Sequence, residues 1–166
     1  FRTLTQEISE ADSWEAWTAI YRALISFDSG LSGAEAEGMR PMLDHQKEEA
    51  NRLFTRWWAA VYPEWLFDPE APCHFSHQML RKHVAPVVKS GQKSVLLVFD
   101  NLRLDQWLEL QPFFMAQFRV ATDAHYASIL PTATQYARNA LLAGALPDEI
   151  AHRYPKDWVP DTLDAE

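Results

Sequence analysis

Apolar positions in the first ninety residues recur at helical intervals. Trp14, Trp17, Tyr21, Leu24 and Phe27 form one stripe, which Gly30 and Gly33 break. Met39, Met42, Leu43, Gln46, Ala50, Leu53, Trp57 and Val61 form a second, longer stripe. Pro63 and the Pro69/Pro72 pair are expected to end it. A third helix is expected over 76–89, with Pro86 near its last turn. Asp12-Ser13-Trp14-Glu15 has capping-box spacing, with Asp12 as the expected acceptor of first-turn amides. Residues 1–9 read as the tail of an earlier helix. The pattern therefore predicts a three-helix bundle, with residues 1–90 as a bundle or linker domain.

The period changes after Gly91. Ser94-Val-Leu-Leu-Val-Phe99 is a continuous apolar run of the kind that forms a buried parallel strand. A helix is expected over 102–116, kinked at Pro112, then strands over 118–121 and 126–130. Helices over 134–143, ending near Gly144, and 147–154 follow. Strands alternating with helices predict an α/β class with a parallel sheet and right-handed crossovers over residues 91–166. Segment 158–166 is acidic and turn-prone, so the sheet is expected to be incomplete.

Composition narrows the function classes. A formal net charge of -8 argues against broad contact with nucleic-acid backbones. It does not argue against a phosphodiester substrate, because a bound dication supplies local positive field. The single Cys73 excludes an internal disulfide and suits a reducing, cytoplasmic setting. No apolar run reaches membrane-spanning length.

Candidate chemistry gathers at two predicted strand ends. Asp100 follows the apolar run, and Pro131-Thr132-Ala133-Thr134 leads into a helix. In an open α/β sheet both would face the same ligand-binding edge. A carboxylate and a hydroxyl there can share a metal ion, which requires them within about 4 Å. From spacing alone, Asp100 reads equally as a helix cap or a ligand. Thr132 and Thr134 read equally as caps. Arg138, one turn after Thr134, is either a phosphate contact or one side of a surface ion pair. Asn101 is either a donor to phosphate or a cap. Cys73, His74 and His77 have zinc-like spacing but no apparent fourth ligand. His45, His83, His125 and His152 read as surface or packing residues.

Two longer motifs add a resemblance. Val98-Phe-Asp-Asn-Leu-Arg-Leu-Asp-Gln-Trp107 resembles the opening motif of PglZ domains, which belong to the alkaline phosphatase superfamily. Ser128-Ile-Leu-Pro-Thr-Ala-Thr-Gln-Tyr-Ala-Arg-Asn-Ala140 resembles the nucleophile turn of that family, and Gly144-Ala-Leu-Pro147 follows it. The preceding helices resemble the bundle that joins receiver and PglZ domains in PorX-type response regulators. The resemblance implies an alkaline-phosphatase-like sheet, of which residues 91–166 would be the N-terminal part. It implies Thr134 as nucleophile and metal ligand and Asp100 as metal ligand, beside which Asn101 and Arg138, on their own chemistry, are the candidate substrate contacts. It implies zinc, one or two ions in the intact protein, with further Asp and His ligands supplied after residue 166. Arg103 and Asp105 match the motif, but their spacing suggests structural pairing.

Two function classes follow. The first is a zinc-dependent phosphodiesterase acting on oligonucleotide-type substrates. By resemblance it would be coupled to an N-terminal receiver domain and linked to type IX secretion. A homodimer is left open. The second is a regulatory or interaction module, in which the bundle transmits a signal and this chain has no activity of its own.

Overall fold

The computed structural model describes residues 2–31 and 34–158, so the expectations for Gly33 and for residues 159–166 lie outside the described residues. Among the described residues there are seven α-helices and no strand: α1 (Arg2–Glu10), α2 (Trp14–Gly30), α3 (Ala34–Trp65), α4 (Ala85–Lys89), α5 (Leu104–Met115), α6 (Thr134–Ala143) and α7 (Pro147–Arg153). They fall into two compact units. One comprises residues 1–72 and 101–125, the other residues 73–100 and 126–166.

The first unit is a helical bundle, with one change of membership. Its core is built from Leu4 and Ile8 of α1, Trp17, Ile20 and Leu24 of α2, and Leu43 and Ala50 of α3. Leu4 and Ile8 are one turn apart, so both fall on the same face of α1. Segment 76–89, expected as the third helix of the bundle, lies in the other unit, and α1 takes that place. α5 also packs on α2.

Local details differ from the sequence pattern for identifiable reasons. The N-cap of α2 is Ser13, whose hydroxyl accepts from the Ala16 amide at 3.2 Å. Asp12 lies one position too early to cap, and its carbonyl instead accepts from Trp57 Nε1 at 3.1 Å. Pro63 does not end α3, which continues to Trp65. Pro63 removes one backbone donor, but packing holds the last turns. Trp58 meets Tyr62 at 5.4 Å between ring centroids, and Trp57 meets Trp65 at 5.5 Å. Lys47 of α3 reaches Asp28 of α2 at 2.6 Å.

The second unit corrects the predicted parallel sheet. Residues 94–99 form no ladder, and their apolar side chains face solvent, Val95 being 85% exposed. Residues 118–121 form no strand and belong to the first unit, with Phe118 and Val120 exposed. Of the expected third strand, only Ala127 is paired, in a single parallel bridge to Phe75. The Ser76 amide donates to the Ala127 carbonyl at 2.9 Å, and the Ala127 amide to the His74 carbonyl at 2.8 Å. The physical reason is that a strand has no internal hydrogen bonds. Composition proposes it, and only a neighbouring ladder makes it.

The core of this unit is small. Phe75 is fully buried, with Cys73, Ala127, Ile129, Ala140, Ala145 and Ile150 also inside. The buried Gln78 side chain accepts from the Phe75 amide at 3.1 Å, and the Ile129 amide donates to Ser76 Oγ at 3.2 Å. These bonds satisfy an irregular backbone that would otherwise be costly to bury. Expected as one helix, segment 76–89 is a 3-10 turn (Ser76–Gln78), a π-helical stretch (Leu80–Val84) and α4.

Candidate active site at Asp100 and the start of helix α6

α6 begins where the sequence predicts. Thr134 is its first residue, and Gly144 closes it in the left-handed region at φ 64°. Gly144 suits that conformation because a side chain there would crowd its own backbone. The N-cap is Ala133, with no side-chain cap, so Thr132 does not have the capping role that spacing allowed. Thr134 is exposed at the end of a ten-residue helix, where backbone dipoles favour an anion.

Asp100 closes the apolar run, and its carboxylate faces Arg138 at 3.5 Å. Each of these side chains is 49% exposed. Of the alternatives open for Arg138, the ion pair is the one formed, and its partner is the proposed metal ligand. Because Arg138 follows Thr134 by one turn, this contact brings Asp100 to the first turns of α6. Such a half-exposed pair is worth about 0–1 kcal/mol, so a ligand could displace it.

Asn101 does not cap α5. It has a positive φ of 61°, a conformation that asparagine tolerates better than most residues. The boundary between the two units falls between Asp100 and Asn101. The N-cap of α5 is Arg103, whose amide donates to Gln106 Oε1 at 3.0 Å. Arg103 also grips Asp105 with two bonds of 3.0 and 2.8 Å, the structural pairing that their spacing suggested. The Arg103 hydrogen bond holds the Asp105 carboxyl below its usual range.

A carboxylate and a hydroxyl, the oxygen donors that Asp100 and Thr134 carry, are compatible with zinc or another hard-to-borderline dication. Catalytic zinc takes three protein ligands, and among the described residues no group of three or more His, Cys, Asp or Glu side chains converges. The contact that sequence reasoning missed is elsewhere. His74 Nδ1 and His83 Nε2 lie 2.8 Å apart. A nine-residue separation across a π-helical stretch has no pattern that would have flagged it.

Two family models match the chain. Residues 1–66 match the model of the PorX response regulator linker domain. Residues 79–162 match that of the BREX system PglZ alkaline phosphatase-like domain. No curated protein matches the chain. The PglZ match takes in both the Asp100 segment and the Thr134 turn, and covers more than half of the 166 residues. The chain therefore belongs to the PglZ alkaline phosphatase-like family.

Proposed function

We propose that the chain is the linker and leading catalytic segment of a response regulator with zinc-dependent phosphodiesterase activity. The proposed boundary between bundle and catalytic segment is residue 90/91. The carrying observation is the PglZ match spanning both motifs, together with the Asp100–Arg138 contact beside the helix that Thr134 opens. In this reading Thr134 is the nucleophile, and Asp100 and Thr134 hold zinc. Zinc, when bound, favours the alkoxide form of the threonine hydroxyl. The amides at the start of α6 attract the phosphate group. Arg138 exchanges the Asp100 carboxylate for a phosphate oxygen, and Asn101 supplies a further donor. The substrate class is an oligonucleotide-type phosphodiester, the setting is cytoplasmic, and the receiver precedes the linker. Control of type IX secretion belongs to the same reading. No helix of the described residues is long and apolar enough to cross a membrane.

The test is Thr134→Val in the intact, zinc-loaded protein. Valine is nearly isosteric but lacks the attacking oxygen. Nucleotide release from a short oligonucleotide should fall to background, with far-UV circular dichroism unchanged. Near-normal turnover would remove Thr134 as nucleophile.

A second reading, a signal-transmitting module without its own activity, rests on the match of residues 1–66 to the PorX response regulator linker domain. It expects the 166-residue chain to hold zinc weakly and to hydrolyse nothing. Brisk turnover by this chain alone would end that reading.

A further inference from the structure

The histidines outside the candidate active site are scattered in sequence, but two of them meet. His74 Nδ1 and His83 Nε2 are 2.8 Å apart, with ring centroids at 4.9 Å and planes tilted by 56°. The backbone behind both is fixed. The His74 carbonyl accepts from the Ala127 amide at 2.8 Å, and the next residue, Phe75, is fully buried. His83 lies in the π-helical stretch Leu80–Val84, a distortion that recurs at functional sites.

We infer that His74 and His83 form a two-imidazole clasp for a divalent transition-metal ion, separate from the Asp100 and Thr134 site. Imidazole nitrogens suit nickel, copper and zinc. Nitrogens at about 2.0–2.1 Å from a tetrahedral ion stand about 3.3 Å apart, so the rings need open by only about 0.5 Å. His83 is exposed, which leaves its ring free to make that adjustment. The proton now shared between the rings moves to the other nitrogen of its own ring. Each imidazole then keeps one proton, and the metal takes the two facing lone pairs. No net proton is released from the neutral pair.

Burial, with Lys82 and His83 nearby, holds His74 below the ordinary histidine range, which favours the neutral ligand form. Lys82 also opposes a dication. Because no third His, Cys, Asp or Glu joins the pair among the described residues, water completes the coordination. The clasp is therefore weaker than a closed four-ligand site.

The experiment is calorimetric titration of the 166-residue chain with nickel(II) alone at pH 7.5. One ion should bind. His74→Gln and His83→Gln should each weaken binding at least tenfold, and the double variant should be no worse than either single one. Asp100→Ala should leave nickel affinity unchanged, which separates this site from the catalytic reading. Copper(II) added to the unaltered chain gives an independent readout. The imidazole NMR signals of His74 and His83 should broaden before those of the other histidines. No binding, wild-type affinity in either glutamine variant, loss of affinity in Asp100→Ala, or earlier broadening elsewhere would overturn the clasp.

Discussion

The helical bundle and the unit around Phe75 solve the same burial problem with different success. In the bundle, every helix satisfies its own backbone and needs only one apolar stripe covered. α1, α2 and α3 cover each other, and an aromatic cluster closes the join. Trp17 meets Phe54 at 5.5 Å and Trp57 at 6.1 Å, and Phe54 stacks on Trp58 at 5.8 Å. In the other unit, residues 94–99 have equally apolar side chains but no neighbouring ladder, and they remain in solvent. Hydrophobicity alone does not bury a segment. A strand must also find hydrogen-bond partners, whereas a helix brings its own.

Large-to-small core substitutions test this contrast most severely. Trp17→Ala should destabilise the bundle by about 3–5 kcal/mol in urea unfolding, because a buried ring with two aromatic neighbours leaves a cavity. Phe75→Ala should cost the second unit a similar amount, about 3–5 kcal/mol, despite the smaller core. A loss under 1 kcal/mol at Phe75 would mean that this core is not closed in solution.

Helix ends should give smaller and comparable effects. Ser13→Ala should cost about 1 kcal/mol in the bundle, and Asp12→Ala should cost less, since Ser13 holds the cap. In the second unit, Gly144→Ala should also cost about 1 kcal/mol. A methyl group at Gly144 would stand 3.7 Å from the His77 carbonyl, an ordinary contact, but the positive φ does not favour one. Equal losses at Asp12 and Ser13 would reverse the cap assignment.

Acid should weaken both units. Burial lowers the affinity of His77 in the second unit and His125 in the first for a proton, below the ordinary value of 6.5. The unfolded chain then binds protons more readily than the folded one. Stability from these groups is full above pH 6.5 and declines as pH falls below it. Melting temperature should drop from pH 7.5 to pH 5.5, and His77→Gln should shrink the drop. An unchanged slope would show that His77 is not held neutral by the fold.

The smallest expected effect is the most diagnostic. Val95→Ser should change stability by no more than about 0.5 kcal/mol, as at any exposed site, while reducing self-association. A loss above 2 kcal/mol would show that segment 94–99 is packed in solution.

Much of this protein was determined by local sequence. The buried positions Trp17, Leu24, Leu43 and Ala50, the start of α6 at Thr134 and its stop at Gly144 follow from residue period and cap chemistry, whereas Tyr21, Phe27 and Met42 of the same stripes are exposed and Ile20 takes a core place. The pairing of Arg103 with Asp105, two residues apart, is local too. These features depend on interactions within a turn or two, and a turn is readable from neighbouring letters. The family motifs around Asp100 and Thr134 were legible for the same reason. Tertiary structure decided what depends on distant partners. It placed α1 rather than segment 76–89 in the bundle, because Leu4 and Ile8 find the faces of α2 and α3. It paired Ala127 with Phe75 and left 94–99 without a ladder. It set Arg138 against Asp100 and His83 against His74, across chain separations that no periodicity encodes. Hydrogen-bond partners and ion pairs at long range are chosen by the packed chain, and composition only supplies the candidates.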